Sequence, residues 1–232
     1  MNPAKLSSYL LGIFPPGVAA AELRTPGDPA LLMPAEAVYL GRAVPKRVGE
    51  FAAGRLCARR ALAEFGILDF PIEVGDDRQP KWPASMVGSI THTTGFCAAV
   101  AAPRTRILAL GLDSEVVGDV HPEIWHSICV PSETAWVESL PEPERAAAVT
   151  LIFSAKEAFY KCQYPVVGER LDFHDVGVEA MAWGAADGAF RIHPRRSIAL
   201  SDRATLPLQG RFLFHEGFVT AGMGLAAAAD SA

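Results

Sequence analysis

FSAKEAFYK, residues 153–161, is the stretch from which the rest of this chain can be understood. Apolar residues recur around it at spacings of three and four, which predicts a helix with one buried face, formed by Leu151, Ala155, Ala158 and Cys162. Glu157 and Lys161 are four residues apart and therefore project from the same side of that helix. Taken alone, they are most simply a solvated ion pair. An acid between Lys156 and Lys161 can also hold a metal ion and anionic oxygens together, and the rest of the chain favours this second interpretation.

The composition is that of a folded chain with little net charge. Half of the 232 residues are hydrophobic and 20% are charged, which argues against disorder and suits one large domain or two closely packed lobes. The formal charge of -5 gives no support to general nucleic-acid binding, because proteins of that class are basic.

The cysteines and the apolar runs indicate the cellular compartment. No Cys-x-x-Cys pair occurs, so we expect neither a zinc ribbon nor a redox pair, but four buried thiols: Cys57, Cys97, Cys129 and Cys162. The apolar segment at residues 9–14 is too short for a secretory signal and is followed by two prolines. No apolar run is long enough to span a bilayer. These features predict a cytoplasmic protein.

The N-terminal part predicts an irregular segment and then a basic helix. Prolines interrupt residues 1–44, for which we expect an irregular cap with one short strand. Pro45 suits a first helical turn, and a helix is predicted over about residues 46–65. Arg47 and Arg55, near its start and middle, are candidates for an anion site. We expect the later arginines of this helix to be solvated; they are Arg59 and Arg60.

A rigid loop and two strands follow. Glycine, aspartate and proline make GDDRQPKWP, residues 75–83, a loop that exposes Arg78. The next segment, GSITHTTGFCAAVA at residues 88–101, predicts two strands joined by a turn. Its first strand is rich in small residues, including Thr91, which allow a ligand to approach the backbone. His92 lies at the end of that strand, although a lone histidine is as often structural as functional.

Two acids end the next apolar strand. ILALGLDSEVV, residues 107–117, is predicted to begin as a buried strand and to carry two acids, Asp113 and Glu115, in its second half. Residues two apart in a strand point to the same face, and adjacent carboxylates repel each other unless a cation lies between them. Oxygen ligands of this kind suit Mg²⁺, which often shares substrate phosphates. The simpler alternative is a strand end that turns into solvent.

The C-terminal part predicts short strands. Pro165 is expected to end the helix, and Leu171 lies in the loop beyond it. Short strands are predicted at residues 176–180, 190–193, 206–214 and 218–223. A hairpin turn is predicted at Glu216-Gly217, between the last two strands. The tail, residues 226–232, is predicted to be frayed. Both halves thus contain a helix and then strands. We predict an α/β (α+β) fold of two similar lobes in a pseudo-twofold arrangement, residues 1–106 and residues 107–232, packed as one compact unit.

Four motifs, taken in their order and spacing, resemble a known family. GRLCAR, RQPKWP followed by GSITH, GLDSE, and FSAKEAFYK are similar to the successive motifs of the Sfp/EntD-type 4'-phosphopantetheinyl transferases. They cover about residues 47–171, and the Gly-Leu-Asp-x-Glu and Lys-Glu-Ala-x-x-Lys motifs are the diagnostic ones. Ser114, between the two acids, is often apolar in the family, and residues 1–44 match it only weakly.

The resemblance implies a fold and a reaction. The fold is that of two α/β lobes with the active site in the cleft between them. The donor is coenzyme A, the acceptor is a serine of an apo acyl, peptidyl or aryl carrier protein, and the products are holo-carrier protein and 3',5'-bisphosphoadenosine. The implied partners are carrier proteins or domains of polyketide, nonribosomal peptide or fatty acid synthases, in secondary metabolite or siderophore biosynthesis. We expect a monomer that uses Mg²⁺, for which Mn²⁺ substitutes.

The same resemblance assigns roles to residues of this chain. Asp113, Glu115 and Glu157 match the family's metal ligands. Glu157, or a water that it holds, is expected to accept the serine proton, and Lys161 to stabilise the phosphoryl oxygens or protonate the leaving group. Contacts with coenzyme A are expected from Arg47, Arg55, Arg78, Thr91, His92, Lys156, Lys161 and Leu171.

Two other classes of function remain open at this point. A metal-dependent phosphohydrolase acting on coenzyme A or a related nucleotide would use water in place of the carrier serine. A non-catalytic coenzyme A-binding module would bind without metal and would not need Glu157. The complete set of three acids argues against the second alternative.

Overall fold

The computed structural model describes residues 3–202 and 208–226. The helices in these residues are α1 (Ser8–Leu11), α2 (Pro34–Ala37), α3 (Pro45–Ala63), α4 (Trp125–Ile128), α5 (Pro131–Ser139) and α6 (Glu142–Val167). The strands are β1 (Lys5–Leu6), β2 (Ala19–Leu23), β3 (Met86–Thr93), β4 (Phe96–Pro103), β5 (Ile107–Val116), β6 (Val176–Met181), β7 (Asp187–Pro194), β8 (Gln209–His215) and β9 (Phe218–Ala226). Short 3-10 turns lie at Pro29–Leu31, Pro122–Ile124, Phe173–Asp175 and Ala199–Asp202.

The strands form two antiparallel sheets. The first has the order β1-β2-β4-β3 and the second has the order β5-β9-β8-β7-β6. Helices packed on two sheets confirm the predicted mixed α/β class. The predicted turn at Glu216-Gly217 is also present, and both residues have the positive φ, 49° and 82°, that a tight hairpin turn favours.

One long helix covers each sheet. The α3 helix packs on β4 and β2, and α6 packs on β5 and β9, with apolar side chains buried at each contact. Gly111 makes the second contact possible, because a Cβ atom there would lie 1.8 Å from the Ala158 carbonyl oxygen. The absence of a side chain at Gly111 therefore allows α6 to lie directly against β5, and this position brings the FSAKEAFYK segment to the strand that carries Asp113.

Side-chain hydroxyls join the two sheets at their edge strands, β3 and β5. The Leu112 backbone N–H donates to Ser89 Oγ at 3.0 Å, and the Ser114 N–H donates to Thr91 Oγ1 at 3.0 Å. Since all four residues are buried, these bonds replace the backbone ladder that an edge strand would otherwise leave unpaired. The junction places the end of β3 beside the two acids of β5.

The N-terminal segment is more ordered than its prolines predict. Besides β1, it contributes β2, which pairs along its whole length with β4 inside the first sheet. The β2 sequence, AAAEL, has little intrinsic strand preference, so pairing and burial decide its conformation. Arg59 also departs from its predicted solvation: it is buried and forms an ion pair with Glu36 of α2.

The α6 helix continues beyond its predicted end at Pro165. It reaches Val167 and stops at Gly168, which has a φ of 67° and donates its N–H to the Tyr164 carbonyl at 2.8 Å. Proline removes one backbone donor, which the last helical turn tolerates better than the middle of a helix. The predicted beginning of β8, residues 206–207, and the predicted frayed tail beyond Ala226 lie outside the described residues. No helix in the described part of the chain is long and apolar enough to cross a membrane.

Candidate active site

The FSAKEAFYK helix and the β3–β5 junction meet at one charged contact. Lys161 Nζ lies 2.6 Å from Asp113 Oδ1 and 3.3 Å from the Leu112 carbonyl oxygen. Thr91 donates its hydroxyl to the same Asp113 oxygen at 3.3 Å. The structure therefore brings together three residues that are distant in sequence and that the motifs had singled out.

Asp113 is buried and only half satisfied. Its Oδ2 atom has no hydrogen-bond partner among the residues that the structure describes, although its side chain is almost fully removed from water. A buried acceptor without a donor is costly unless a further partner binds it. This oxygen is therefore available to a cation or to a donor of the substrate.

Glu115 and Glu157 lie in the electrostatic field of Asp113. Burial and the Asp113 charge raise the pKa of Glu115 to about 7. A hydrogen bond of 3.1 Å from Thr93 Oγ1 acts in the opposite direction and lowers this pKa. Burial raises the pKa of Glu157, and the Asp113 charge raises it further. The Lys161 charge lowers this pKa, but only partly offsets the increase. For Lys161, burial alone would lower the pKa, but the surrounding carboxylates outweigh it and raise the pKa.

The three predicted metal ligands do not form a closed metal cluster. Within residues 3–202 and 208–226, no three His, Cys, Asp or Glu side chains are grouped closely enough to hold an ion. The Lys161 ammonium instead takes one Asp113 oxygen. The set still fits a divalent cation in chemistry, because it offers only carboxylate oxygens and includes the unpaired Asp113 Oδ2.

Two of the predicted anion-binding residues face each other beyond this contact. Arg47 Nη1 donates to His92 Nε2 at 2.8 Å, and both side chains are exposed. Desolvation of the imidazole and the nearby Arg47 charge lower the pKa of His92, which favours the neutral ring that this bond requires. Arg55 is placed differently. It is buried, its guanidinium lies 3.7 Å above the Phe51 ring, and its Nε donates to the Ile72 carbonyl at 3.1 Å.

Lys156 borders a cavity beside Glu157, but its ammonium is bound by protein acceptors. Its side chain is buried, and its ammonium donates to Glu133 Oε2, to the Ile128 carbonyl and to the Phe173 carbonyl, each at 2.8 Å. This placement departs from the predicted contact with coenzyme A, because all three donors already have acceptors. Although Lys156 is next to Glu157 in sequence, adjacent residues of a helix point in different directions.

A cavity of about 400 Å³ opens beside Glu157 and Lys161. Its walls come from the 75–83 loop, from β3 and β5, and from the end of α6; they include Arg78, Trp82, Ser89, Leu110, Tyr160 and Tyr164. Arg78 is exposed, as predicted, and its φ of 67° marks a constrained loop backbone. Leu171 lines a neighbouring cavity of about 310 Å³ that also contacts Glu157 and Tyr160. Glu157 therefore lies between two cavities.

One contact across the larger cavity was not predicted. Asp77 accepts hydrogen bonds from the Tyr164 hydroxyl at 2.7 Å and from Arg170 at 2.9 Å. It links the 75–83 loop to the end of α6, almost ninety positions along the chain. Sequence reasoning missed it because a loop aspartate and a tyrosine near a helix end carry no pairing signal of their own.

The chain matches two family models and several characterised relatives. The 4'-phosphopantetheinyl transferase N-terminal domain model matches residues 35–102, and the 4'-phosphopantetheinyl transferase superfamily model matches residues 109–206. The 4'-phosphopantetheinyl transferase Svp of Streptomyces mobaraensis is 36% identical over 211 residues, which cover 89% of this chain and 84% of that protein. The 4'-phosphopantetheinyl transferase Npt of Nocardia iowensis is 32% identical over 213 residues, covering 89% and 95%.

A second type of relative matches over a shorter region. Enterobactin synthase component D of Salmonella typhi is 41% identical over 120 residues, which cover 50% of this chain and 48% of that protein. The first two relatives, in contrast, align along most of both chains. A similarity of this extent, together with the two matched models, means that the protein belongs to the 4'-phosphopantetheinyl transferase superfamily of enzymes.

Proposed function

We propose that this enzyme transfers 4'-phosphopantetheine from coenzyme A to a serine of an apo carrier protein. The observation that carries the proposal is the contact between Lys161 and Asp113, with Lys161 and Glu157 both lining a cavity of about 400 Å³. A cationic donor and a carboxylate base between two neighbouring cavities suit a substrate with a diphosphate and a long arm. Phosphoryl transfer asks the protein mainly for positioning and charge stabilisation.

The reaction balances with the residues of this cleft. The serine oxygen forms a bond to the phosphorus that carries pantetheine, and the bond from that phosphorus to the bridging diphosphate oxygen breaks. The leaving group is 3',5'-bisphosphoadenosine. The serine proton goes to the Glu157 carboxylate, directly or through a water, because Glu157 borders both cavities and lies beside Lys161. Lys161 donates to the phosphoryl oxygens during the transfer or protonates the leaving group.

We place a divalent cation, Mg²⁺ or Mn²⁺, among Asp113, Glu115 and Glu157. The unpaired Oδ2 atom of Asp113 supports this placement, as does the pKa of Glu115, which is raised by burial first and then by the Asp113 charge. When bound, the metal supplies positive charge that offsets the charge of the diphosphate. The carboxylates hold the metal, and Thr91 and Thr93 orient two of them through their hydroxyls.

The coenzyme A nucleotide is proposed to lie toward Arg47 and His92, whose exposed side chains form a ready anion-binding pair. Arg55 supports this region with its buried positive charge, and Arg78 borders the larger cavity. The pantetheine arm is proposed to pass between Glu157 and Leu171. We also propose that residues 1–106 and residues 107–232 act as two lobes that meet at this cleft.

The proposed acceptors are carrier proteins or domains of polyketide, nonribosomal peptide or fatty acid synthases, and the protein is proposed to act as a cytoplasmic monomer. The chain is net negative, so a negatively charged carrier has to dock on a local basic or apolar patch. A weak effect of salt on carrier affinity would indicate apolar docking, and a steep effect would indicate basic contacts.

The deciding experiment is an intact-mass measurement on a panel of apo carrier proteins incubated with the enzyme, coenzyme A and Mg²⁺. We expect one carrier to gain a single phosphopantetheine group, and its serine variant to gain none. Release of 3',5'-bisphosphoadenosine without any carrier would instead identify a phosphohydrolase. Binding of coenzyme A with neither outcome would identify a binding module.

A further inference from the structure

A buried ion pair lies behind the catalytic face of α6. Lys156 and Glu133 are both about 2% exposed, and their charged atoms are 2.8 Å apart. Charges buried this deeply are tolerated only where their remaining hydrogen bonds are also satisfied. This pair meets that condition on both sides.

The lysine side of the pair connects three segments. Besides Glu133 of α5, the Lys156 ammonium binds the Ile128 carbonyl at the end of α4 and the Phe173 carbonyl at the start of a 3-10 turn. The glutamate side adds two more contacts. Glu133 Oε2 accepts the Val130 N–H at 2.7 Å, and Oε1 accepts the Val178 N–H of β6 at 2.6 Å.

The segment held by the Phe173 contact is a wall of the active-site cleft. Arg170, Leu171, Asp172 and Phe173 line the 310 Å³ cavity together with Lys156, Glu157 and Tyr160. Lys156 thus donates a hydrogen bond to the backbone of this wall, while the next residue, Glu157, lines the same cavity. The distance between Glu157 and the wall is therefore set through one step along the α6 backbone and one ammonium group.

We propose that Lys156 and Glu133 form a positioning pair that fixes the 170–173 wall relative to Glu157, and that Lys156 does not bind coenzyme A. The inference rests on the proposed transferase function, since it assigns the pair to the step in which Glu157 meets the substrate. Loss of either partner leaves the other charge buried and unpaired, so the wall moves away from α6. Coenzyme A still binds, but the reacting atoms are misplaced.

The test compares Lys156→Met, Glu133→Gln and the double variant with wild type. We expect kcat to fall about 10- to 100-fold in each single variant, because small misplacements of reacting groups have effects of this size. The dissociation constant of coenzyme A, measured by calorimetry, should change by less than about twofold. The decrease in kcat of the double variant should be no larger than that of the more impaired single variant, since the two residues act as a unit.

Hydrogen exchange gives a readout that does not depend on activity. Peptides covering residues 170–178 should exchange faster in both single variants than in wild type. Glu22→Gln is the matched control: Glu22 is also a buried carboxylate, bound by Ser7 and near Lys5, and it should leave that exchange and kcat unchanged. If Lys156→Met does not fold, Lys156→Gln keeps donors for two of the three acceptors and takes its place.

Two results would overturn the proposal. One is a loss of coenzyme A affinity of about tenfold or more in the Lys156 variant but not in the Glu133 variant, which corresponds to about 1.4 kcal/mol and indicates a direct contact. The other is wild-type kcat and exchange in folded Lys156→Met. Failure of the wild-type enzyme to modify any carrier would count against the proposed function alone. The role of the Lys156–Glu133 pair would still be tested by hydrogen exchange and by coenzyme A affinity.

Discussion

Lys161 Nζ lies 2.6 Å from Asp113 Oδ1, and this contact joins α6 to the edge strand of the second sheet. It is a charge-assisted hydrogen bond in a partly buried setting, the kind that contributes more than an exposed ion pair. It also takes one of the two Asp113 oxygens and leaves the other unpaired. A metal ion that binds Asp113 must therefore share this carboxylate with Lys161.

Replacing Lys161 by Ala should reduce both activity and stability. The buried Asp113 carboxylate then loses its counter-charge, which should lower the free energy of unfolding by about 1–3 kcal/mol. Transfer should fall by about 10²- to 10³-fold, the typical effect of removing a donor to developing charge. Lys5→Ala, whose side chain is 70% exposed, is the control and should change neither. Wild-type turnover by folded Lys161→Ala would contradict the assigned role.

The stability of the metal-free protein should depend on Glu115. Its folded-state pKa of about 7 lies above the ordinary value of 4.5, so the folded state binds more protons between these values. The contribution of Glu115 is therefore fully present at low pH and is lost as the pH rises through about 7. Glu115→Gln should raise the melting temperature in EDTA at about pH 8 and have little effect at about pH 5. A gain of equal size at both values would exclude this explanation.

Arg47 and His92 should contribute to coenzyme A affinity with little effect on folding. Both side chains are exposed and bind each other, so Arg47→Ala and His92→Ala should weaken binding by about tenfold each, as expected for lost contacts with a charged group. Calorimetry and melting curves measure the two effects. Unchanged affinity in both variants would refute the nucleotide assignment. Arg55→Ala is unsuitable for this test, because Arg55 is buried against Phe51 and its loss should also destabilise the protein.

Gly111 should tolerate no side chain. A Cβ atom there would lie 1.8 Å from the Ala158 carbonyl, so α6 would have to move off β5. Gly111→Ala should cost about 1–3 kcal/mol or more by overpacking, and activity should fall because Glu157 and Lys161 are carried by the displaced helix. Gly177→Ala is the matched control, since its Cβ would meet its nearest neighbour at 3.7 Å. Equal melting temperatures of the two variants would contradict this account.

Local patterns predicted the elements that carry the chemistry. The apolar spacing around Glu157 and Lys161 predicted a helix, and the alternation before Asp113 predicted a buried strand; both are present. These segments are informative because burial of one face constrains which positions are apolar. The four cysteines are also buried and free, as their apolar neighbours indicated.

Long-range pairing could not be predicted in the same way. The β2 strand is ordered by its partner β4, about eighty positions away, and nothing in its alanines indicates that partner. Lys156 seemed suited to phosphate binding because it adjoins Glu157, yet its direction along the helix takes it to Glu133. Sequence identifies which charges are present, but a buried lysine is distinguished from a surface lysine only by what the fold places against it.

The last prediction concerns the metal. Buried carboxylates repel one another without a cation, and the pKa of Glu157 is raised by its burial and, in addition, by the Asp113 charge. Mg²⁺ with coenzyme A should therefore raise the melting temperature through linkage, and EDTA should remove the gain. Glu157 has no ion-pair partner among the salt bridges of the described residues, whereas Asp113 holds Lys161. Asp113→Ala therefore leaves an unpaired ammonium and should destabilise the protein, but Glu157→Ala should not.

Glu157→Ala is accordingly the cleaner variant. It should fold as well as wild type or better, lose the melting-temperature gain from Mg²⁺, and transfer at least about 10²-fold more slowly because the base is gone. Mn²⁺ should restore wild-type activity after EDTA treatment but should not rescue the variant. Glu138→Ala, an exposed acid on α5, controls for the loss of one negative charge. The measurements are carrier modification by intact mass and melting curves with and without metal. Full transfer by Glu157→Ala, or by wild type in excess EDTA, would refute the base and the metal site respectively.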